Sequence, residues 1–516
     1  MFIQLTLLGF LAGAVQPSLS YVVKRTLRQD VSQPDNDLNS SSHSFILLGA
    51  TGDLSKREIY PTLWYLYRDN LLPKKTRIFG YARRNRTINE IRKDVEPYVK
   101  VKSNEKQLYD KFWSLNVYIR SEGSEDKDYE KINKIVNEYE DGGKGNRLFY
   151  LALPPAVFPS ATTQIKRVAM AKNGWTRIVL EKPFGRDTKS AEELLRHLQQ
   201  LFTEDQIYRM DHFLNYEMVQ NIYSLRFGNR LFTPAWNNEN IAAIEIDLKE
   251  NLGVEGRGSF FDPNSIIRDV MQNHLLQIMT LIAMEQPKSN NNNDIRDAKV
   301  EVLKATREIA MDDVVLGQYV ANPDSKDPRE RIGYRDDPTV PNNSNTSTFA
   351  LTVLKVDNKR WRGVPFIIRA GKGLNINQTE VVIQFKDVET GLFGSQPKRN
   401  ELILIAKGTE GLQAKLTSKV PGYTNDIEEI TLDFKYEEAH KGFRIPEAYE
   451  KAILDIFKGS QLHFVRNDEV KEAWRIFTPI LHEIESKNLQ PIEYKFGSTG
   501  PTEADKMEKK YNFLRE

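Results

Sequence analysis

Apolar runs of four to six residues alternate with longer charged segments in the first part of the chain. The runs cover residues 45–48, 76–81, 148–153 and 176–180, and residues 61–67 carry the apolar spacing of a helix. Short buried runs separated by helix-compatible segments are typical of a parallel sheet with helices on both faces. We therefore expect a doubly wound, Rossmann-like α/β domain over residues 45–214.

The pattern changes after about residue 235, where apolar runs follow one another with few helical segments between them. These runs cover residues 241–248, 348–354, 366–369, 380–385 and 401–405. Successive strands of this kind favour a mostly antiparallel sheet. The pattern predicts a larger α+β domain over residues 215–516. Helices at 266–284 and 446–457 would pack on its sheet, and the asparagine-rich residues 289–294 would form a loop.

Composition narrows the classes of function. With 516 residues, of which 40% are hydrophobic and 28% charged, the chain is long enough for two domains with substantial cores. The chain has no cysteine, which excludes disulfides and thiolate catalysis. It has only seven histidines, and no metal site is expected. The net charge of +2 gives no strong field, so neither nucleic acid nor an anionic membrane is expected as a partner.

Residues 1–20 are mostly apolar and end in small residues, as in a signal peptide for the secretory pathway or ER lumen. No lysine or arginine precedes the apolar run, so a merely hydrophobic tail on a cytosolic protein is the alternative. The run is too short for a stable membrane span. Residues 21–44 are polar and are expected to form a disordered linker. Glycosylation triplets occur at Asn39, Asn85, Asn342, Asn345 and Asn377.

The first predicted strand is followed by a glycine turn and the start of a helix. Glycine at this junction lets the backbone approach a pyrophosphate, and the N–H groups of the helix start attract the anion. The spacing is GxxG followed by serine rather than GxGxxG, so an ordinary glycine turn is an equal alternative on this motif alone. The residues predicted to bind a dinucleotide are Gly49, Ala50, Thr51, Gly52, Asp53, Leu54, Ser55 and Lys56.

The second predicted strand ends in Tyr81, Ala82, Arg83 and Arg84. Dinucleotide-binding folds often place an acid there to hold the adenosine ribose, whereas an arginine suits a 2′-phosphate. Arg83 therefore favours NADP over NAD as the cofactor. The alternative is an ordinary surface arginine.

Five longer blocks stand in a fixed order along the chain. They are GATGDLSK at 49–56 with Tyr60-Pro61, LALPP at 151–155, EKPFGRD at 181–187, RDVMQNH at 268–274 and WRIFTP at 474–479. In sequence and in order they resemble blocks of the glucose-6-phosphate dehydrogenase family, over about residues 44–504. Several independent blocks are far more specific than any single motif.

The resemblance implies oxidation of glucose 6-phosphate at C1 with NADP, giving 6-phospho-D-glucono-1,5-lactone, the first step of the pentose phosphate pathway. It makes His274 the general base and Asp211 the carboxylate that orients it. Without the resemblance, a histidine on an amphipathic helix would be read as structural. By the same resemblance Lys182 contacts cofactor and sugar, Tyr150 contacts the cofactor, and the substrate-binding positions are His212, Tyr216, Glu250, Asp269 and Lys372.

This chain differs from the family pattern at the predicted phosphate end of the substrate pocket. Where the family has a tyrosine and a lysine, this chain has Phe213 and Tyr216, while His212 is kept. Loss of a charge-assisted contact to phosphate typically costs about 1.5–3 kcal/mol, or roughly ten- to a hundredfold in binding. Asn377 replaces a further basic residue, and Lys407 replaces a glutamine and offers some positive charge.

Eukaryotic relatives also hold a structural NADP between the second sheet and the C-terminus. Gln378, Val382 and Ile405 stand where basic residues would be expected, although Arg369 and Lys415 remain. The resemblance therefore predicts weak binding of a second NADP. It also implies a homodimer or tetramer formed through the large sheet.

Three functions stay open from the sequence. The chain is an active glucose-6-phosphate dehydrogenase, a catalytically silent relative that keeps the fold, or a dehydrogenase for a sugar that is unphosphorylated or phosphorylated elsewhere. The retained His274 and Asp211 favour the first function. The altered Phe213 and Tyr216 motivate the other two.

Overall fold

The computed structural model describes residues 40–121, 125–140, 144–389, 391–393 and 395–515. The predicted leader, residues 1–20, and residues 21–39 of the predicted linker lie outside the described residues. The end of that linker is structured instead, because the first strand begins at His43 rather than at residue 45. His43 and Ser44 are buried, and the Ser44 hydroxyl donates a hydrogen bond of 2.8 Å to Glu140.

Two sheets contain the sixteen strands of the described chain. The strands are β1 (His43–Leu48), β2 (Thr76–Ala82), β3 (Asn116–Arg120), β4 (Asn146–Leu151), β5 (Thr176–Glu181), β6 (Ile207–Met210), β7 (Ile241–Lys249), β8 (Val314–Val320), β9 (Phe349–Lys355), β10 (Pro365–Gly371), β11 (Gln378–Phe385), β12 (Glu401–Lys407), β13 (Gly411–Lys419), β14 (Ile427–Lys435), β15 (Phe464–Val465) and β16 (Ile492–Lys495).

Fourteen α-helices surround these sheets in the same described ranges. The helices are α1 (Tyr60–Arg68), α2 (Ile88–Val95), α3 (Lys106–Ser114), α4 (Glu125–Tyr139), α5 (Phe158–Gln164), α6 (Thr188–Leu201), α7 (Glu217–Gly228), α8 (Gly258–Phe261), α9 (Leu276–Ala283), α10 (Asn292–Ala305), α11 (Tyr436–Ala439), α12 (Ala448–Lys458), α13 (Asn467–Ser486) and α14 (Thr502–Lys510). Wider π-helical turns occur at Ser55–Ile59, Ile165–Ala169 and Ile267–Leu275. No helix in these ranges is long and apolar enough to cross a bilayer.

The first sheet has the strand order β15-β6-β5-β4-β1-β2-β3. Strands β1 to β6 pair in parallel, and β15 adds an antiparallel edge. The strand order reverses between β1 and β4. Doubly wound sheets bind their ligands at such a switch point, outside the carboxyl ends of the strands. The predicted Rossmann-like domain is confirmed.

The second sheet has nine strands in the order β14-β13-β12-β11-β7-β10-β9-β8-β16. Six of its eight pairings are antiparallel, and β10–β7 and β16–β8 are parallel. The prediction of a mostly antiparallel sheet with packed helices is therefore confirmed. The parallel pairing of β7 with β10 brings the carboxyl ends of both strands to the same edge.

Two local predictions need correction. The loop expected at residues 289–294 already enters α10 at Asn292, because the Asn291 side chain caps that helix by accepting a 2.9 Å hydrogen bond from the Asp294 N–H. Asparagine is among the strongest N-cap residues, so the run starts a helix. The helix expected at 266–284 has two parts, the π-helical turn Ile267–Leu275 and then α9. Such widened turns are frequent at functional sites.

The C-terminal half of the chain returns to the first sheet. Strand β15 pairs with β6, and α12 packs against both α1 and the 3₁₀ turn His212–Asn215. Residues 448–465, which lie within the predicted second domain, therefore complete one side of the first. The region between the two sheets is built from both halves of the chain.

Candidate active site

The glycine turn after β1 is enforced by a close approach to the end of β4. Gly49 has a φ of 92°, and a Cβ at this position would lie 2.1 Å from the Ala152 carbonyl oxygen. The Gly52 N–H and the Ser55 hydroxyl both donate to the Gly49 carbonyl, at 2.8 and 2.9 Å. The turn therefore aims the start of the following helix at the carboxyl end of β1, where its N–H groups favour an anion.

The other predicted cofactor residues line or support this turn. Ala50, Thr51 and Ser55 are buried, whereas Asp53 is exposed. Two charged side chains near the turn form contacts with other side chains of the protein. Asp53 accepts a 2.7 Å hydrogen bond from Arg57, and Lys56 forms an ion pair of 3.2 Å with Asp94.

Arg83 follows directly on β2, the neighbour of β1 at the switch point. Its side chain is exposed, and among the described residues no group hydrogen-bonds or ion-pairs with it. A free guanidinium at this place suits a phosphate on the adenosine ribose.

Tyr150, a predicted cofactor contact, lies in β4, next to β1 at the switch point of the first sheet. Its ring is fully buried in β4, and its hydroxyl donates a hydrogen bond of 2.5 Å to Glu181 at the end of β5. Burial raises the pKa of Glu181 to about 7, although its hydrogen bond with Tyr150 and the charge of Lys182 oppose the shift. Tyr150 thus supports a buried acid next to the predicted lysine.

The predicted catalytic pair is brought together across the junction of the two domains. Asp211 follows β6, and His274 lies in the π-helical turn before α9. The His274 Nδ1 lies 2.5 Å from Asp211 Oδ1, and both side chains are buried. Asp211 Oδ1 also accepts from the Phe213 N–H at 3.1 Å, and the Phe213 ring stacks on the imidazole at 4.2 Å. These contacts fix the orientation of the ring.

The electrostatics of this pair favour a neutral imidazole beside a charged carboxylate. Burial lowers the pKa of His274, and the positive charge of Lys182 lowers it further, although Asp211 opposes both. Burial alone would raise the pKa of Asp211, but His274, together with His212 and Lys182, outweighs it and the pKa is lowered. The arrangement can accept a proton from a substrate hydroxyl and stabilise the imidazolium that forms.

Four charged residues form a group next to the catalytic pair, which we call the sugar-side group: Lys182, Glu250, Asp269 and Lys372. The Lys182 ammonium donates to the Asp269 carbonyl at 2.5 Å and lies 3.3 Å from its carboxylate. Lys372 pairs with Glu250 and lies 3.5 Å from Asp269. Burial would raise the pKa of Asp269, but the two lysines outweigh it and the pKa is strongly lowered. Charged donors and acceptors at this spacing can orient a polyhydroxylated ring.

His212 lies beside the catalytic pair at the predicted phosphate end. Its ring contacts His274 at 4.8 Å and stacks on Tyr449 of α12 at 5.5 Å. Burial lowers the pKa of His212 well below its ordinary value, and the positive charge of Lys407 is among the further causes. Lys407 is the last residue of β12, which packs against α7 immediately after this turn. Among the described residues no carboxylate pairs with Lys407.

Tyr216 faces a different environment from His212. Three carboxylates, which we call the acidic cluster, influence its phenol: Glu58, Glu410 and Glu447. Burial, followed by these negative charges, raises the pKa of Tyr216 strongly. Burial and the neighbouring carboxylates also raise the pKa of Glu410 to about 7. Position 216 therefore supplies no cation and lies close to negative charge.

Two family models together match nearly the whole described chain. The model described as glucose-6-phosphate dehydrogenase, NAD binding domain, matches residues 46–221, and the model of the C-terminal domain matches residues 223–514. The chain belongs to the glucose-6-phosphate dehydrogenase family.

Individual relatives agree with the family assignment. The glucose-6-phosphate 1-dehydrogenase of Drosophila melanogaster is 52% identical over 91% of this chain and 90% of its own length. The enzyme of the same name from Takifugu rubripes is 50% identical over 92% and 90%. A solved glucose-6-phosphate dehydrogenase in complex with glucose-6-phosphate has a TM-score of 0.87 at 40% identity, covering 92% of this chain and 99% of that one.

Membership of the glucose-6-phosphate dehydrogenase family does not by itself explain every polar residue near the site. Sequence reasoning missed the buried acid Glu181, the stacked Tyr449 and the acidic cluster. The adjacency of Glu181 to Lys182 was the only sequence signal for any of them. The others come from elements far apart in the chain, so their grouping required the fold.

Proposed function

We propose that this chain oxidises glucose 6-phosphate at C1 with NADP as hydride acceptor. The observation that carries the proposal is the buried pair of His274 and Asp211 beside the sugar-side group. A base held in one orientation, next to charged groups that can hold sugar hydroxyls, is what oxidation of a sugar C1 requires. The names of relatives about 50% identical over nine-tenths of the chain support the same reaction.

His274 takes the proton of the C1 hydroxyl through the ring nitrogen that does not contact Asp211. Asp211 holds the other nitrogen at 2.5 Å, so it selects the tautomer and stabilises the positive charge that develops on the ring. The sugar-side group fixes the substrate ring so that the hydroxyl meets the base. The proton balance needs no metal-bound water.

The residues present suit a bound NADP. The glycine turn, with its forbidden Cβ at position 49, lets the backbone approach a pyrophosphate, and Arg83 stands free at the end of β2 to meet the 2′-phosphate. Lys182, which directly follows β5, is the member of the sugar-side group that the dinucleotide-binding domain contributes. When bound, the cofactor supplies the nicotinamide that accepts hydride.

The phosphate of the substrate is held in this proposal by His212 together with Lys407. A phosphate needs charge-assisted partners, and Tyr216 next to the acidic cluster provides none. Lys407 is a cation free of described carboxylate partners on the His212 side of the pocket. In this proposal the phosphate therefore has one cationic contact, which comes from Lys407 and not from position 216.

A substrate panel tests the proposed activity. Protein lacking residues 1–20 is assayed with glucose 6-phosphate, glucose and galactose 6-phosphate, each with NADP and with NAD, by the absorbance of the reduced cofactor. We expect kcat/KM to be highest for glucose 6-phosphate with NADP. No turnover on any sugar, with NADP still bound in calorimetry, would contradict the proposal and leave a catalytically silent relative.

A second function is favoured by one observation, the acidic cluster around Tyr216. Negative charge repels a phosphate dianion and tolerates a neutral hydroxyl, so an unphosphorylated sugar is the alternative substrate. In the same panel, a higher kcat/KM for glucose than for glucose 6-phosphate would select this function.

We propose further that the chain assembles as a homodimer through the exposed face of the outermost strands of the second sheet. The outermost strands β13 and β14 carry exposed apolar side chains on one face, among them Leu416, Leu432 and Phe434. Light scattering should give twice the chain mass, and Leu432→Glu should give the monomer. A monomeric wild type would contradict the proposal.

We also propose that residues 1–20 direct the chain into the secretory pathway. The support is their apolar composition and length. Expression with a C-terminal tag followed by fractionation and N-terminal sequencing tests this, because cleavage near residue 20 is expected. A cytosolic, uncleaved protein would contradict it.

A further inference from the structure

A buried acidic pair lies on β7, away from the catalytic pair. Glu245 and Asp247 are both fully buried on this central strand of the second sheet. Glu508 of α14, also buried, lies next to them, and we call these three carboxylates the acidic face. Buried charges of one sign are unstable unless cations and hydrogen bonds compensate them.

The cations that compensate the acidic face come from three elements. Lys249 lies 3.1 Å from Asp247 but is shared with Glu380, at 2.8 Å. Arg369 of β10 donates to Glu508 at 2.6 Å and lies 4.0 Å from Asp247. Only one further cation remains among the described residues at this face, and it is Arg515.

Arg515 contacts all three carboxylates of the acidic face. It pairs with Glu245, lies 3.4 Å from Asp247 and donates from Nε to Glu508 at 2.8 Å. Burial raises the pKa of Glu245 well above its ordinary value, and the positive charge of Arg515 is the largest influence that opposes this rise. Without it, three buried carboxylates would share two cations.

The segment before Arg515 is anchored on the same sheet. Phe513 is buried, and the Leu514 backbone exchanges two hydrogen bonds with the Gln384 side chain of β11, at 2.6 and 3.0 Å. Arg399 donates to the Asn512 carbonyl at 2.7 Å. The position of Arg515 is therefore set by specific contacts, not by its charge alone.

The acidic face connects to the sugar-side group through two strands. Asp247 is paired in register with Arg369, and Glu250 and Lys372 directly follow the carboxyl ends of these parallel strands, three residues beyond that pair. The Glu250 N–H donates to the Gly371 carbonyl at 2.9 Å, and the two side chains form an ion pair. A change in the separation of β7 and β10 would therefore move the groups that hold the sugar.

We propose that Arg515 is the built-in counter-ion of the acidic face and a positioning residue that, through β7 and β10, holds Glu250 and Lys372 in place for the sugar. The inference rests on the proposed function, since it assigns Glu250 and Lys372 to substrate binding. Arg515 itself touches neither substrate nor reacting atoms.

The acidic face does not fit the second, structural dinucleotide that the family resemblance implies. Its three buried carboxylates would repel phosphates, and Arg369 and Arg515 are committed to them. Gln378 donates to Glu380 at 2.6 Å, and Val382 and Ile405 carry no charge. The cation at this place is instead supplied by Arg515 of the chain itself.

The first test compares Arg515→Met with Lys509→Met, a matched charge removal at an exposed position of α14. Arg515→Met should raise the KM for glucose 6-phosphate about fivefold or more, change kcat less than about twofold, and lower the unfolding temperature by at least about 3 °C. Lys509→Met should change none of these. An unchanged KM, with or without a lower unfolding temperature, would overturn the positioning role.

Two further variants keep the inference testable if Arg515→Met folds poorly. Arg515→Lys keeps the charge and should retain most of the affinity for the sugar phosphate. Glu245→Gln should restore both stability and KM in the Arg515→Met background, because it removes the buried carboxyl that Arg515 contacts. Failure of this rescue would overturn the inference.

Calorimetry separates this inference from the proposed function. Equilibrium binding of glucose 6-phosphate replaces KM if the protein shows no turnover, and equal affinities of wild type and Arg515→Met would overturn the positioning role on their own. Titration of wild type with NADP should give one site per chain. Binding of two NADP molecules per chain would contradict the statement that the acidic face does not fit a structural dinucleotide.

Discussion

The two ends of the candidate site differ in how closely they follow the family. At the hydride-transfer end His274, Asp211 and the sugar-side group keep both the residue types and a compact geometry with direct contacts. At the phosphate end Tyr216 stands where the family resemblance predicts a lysine, and Lys407 of β12 is a cation without a carboxylate partner among the described residues.

The difference separates proton chemistry from anion recognition. Chemistry at C1 depends on one buried pair whose distance is set by β6 and the π-helical turn, and any replacement there removes the base. Recognition of an anion depends on total positive charge nearby, so a cation can move to another element and still act. A lost cation at the phosphate end can therefore be compensated by a cation on another element, whereas a lost base cannot.

The largest effect is expected at the hydride-transfer end. His274→Asn should lower kcat by about 10²- to 10⁴-fold, because it removes the general base. NADP affinity, measured by calorimetry, should stay unchanged. His482→Asn, at an exposed position of α13, is the matched control. A loss of less than about tenfold would mean that another group takes the proton.

The next effect tests the cation at the phosphate end. Lys407→Gln should raise the KM for glucose 6-phosphate by about ten- to a hundredfold, since it removes a charge-assisted contact. The KM for glucose should not change, because glucose lacks the phosphate. Lys386→Gln, an exposed lysine just beyond β11, is the control. Equal KM values in wild type and Lys407→Gln would show that the phosphate does not approach β12.

A smaller gain is expected from Tyr216→Lys. The new ammonium should lower the KM for glucose 6-phosphate several-fold, but the acidic cluster will compete with the phosphate for it. Steady-state kinetics beside Tyr216→Phe distinguishes the added charge from loss of the phenol. If both variants have the KM of wild type, position 216 lies outside the phosphate contact.

The smallest expected effect is a shift in pH dependence. His274 must be neutral to act, and burial lowers its pKa, so activity should be full at neutral pH and fall only below the ordinary histidine value of about 6.5. Asp211 raises this pKa, so in Asp211→Asn the acid limb of kcat/KM should move to lower pH. Ionisation of the substrate phosphate is common to both proteins. A limb that stays in place would assign it to another group.

Much of the scaffold was predictable from local pattern. Buried apolar runs gave the parallel strands, and the need for glycine at position 49 followed from the strand–helix junction. The end of the linker was missed because burial of His43 depends on the neighbouring strands. The asparagine run was misjudged because one cap residue, Asn291, decides where α10 begins.

The site was predictable only in part. His274 and Asp211 are 63 residues apart, and only the family resemblance joined them before the fold was known. The hydrogen bond of Tyr150 to Glu181 joins neighbouring strands, and the sequence alone did not indicate it. The acidic cluster and the contacts of Arg515 are long-range, and no local pattern encodes them.

The late position of the two-residue strand β15 in the chain limits when the first sheet can be completed during synthesis. It closes the edge of the first sheet beside β6, yet more than 250 residues separate the two strands along the chain. When the dinucleotide-binding half has emerged from the ribosome, the outer edge of β6 still lacks its partner strand. An unpaired strand edge is prone to association with other chains. Protection of that edge has to wait until nearly the whole polypeptide has emerged.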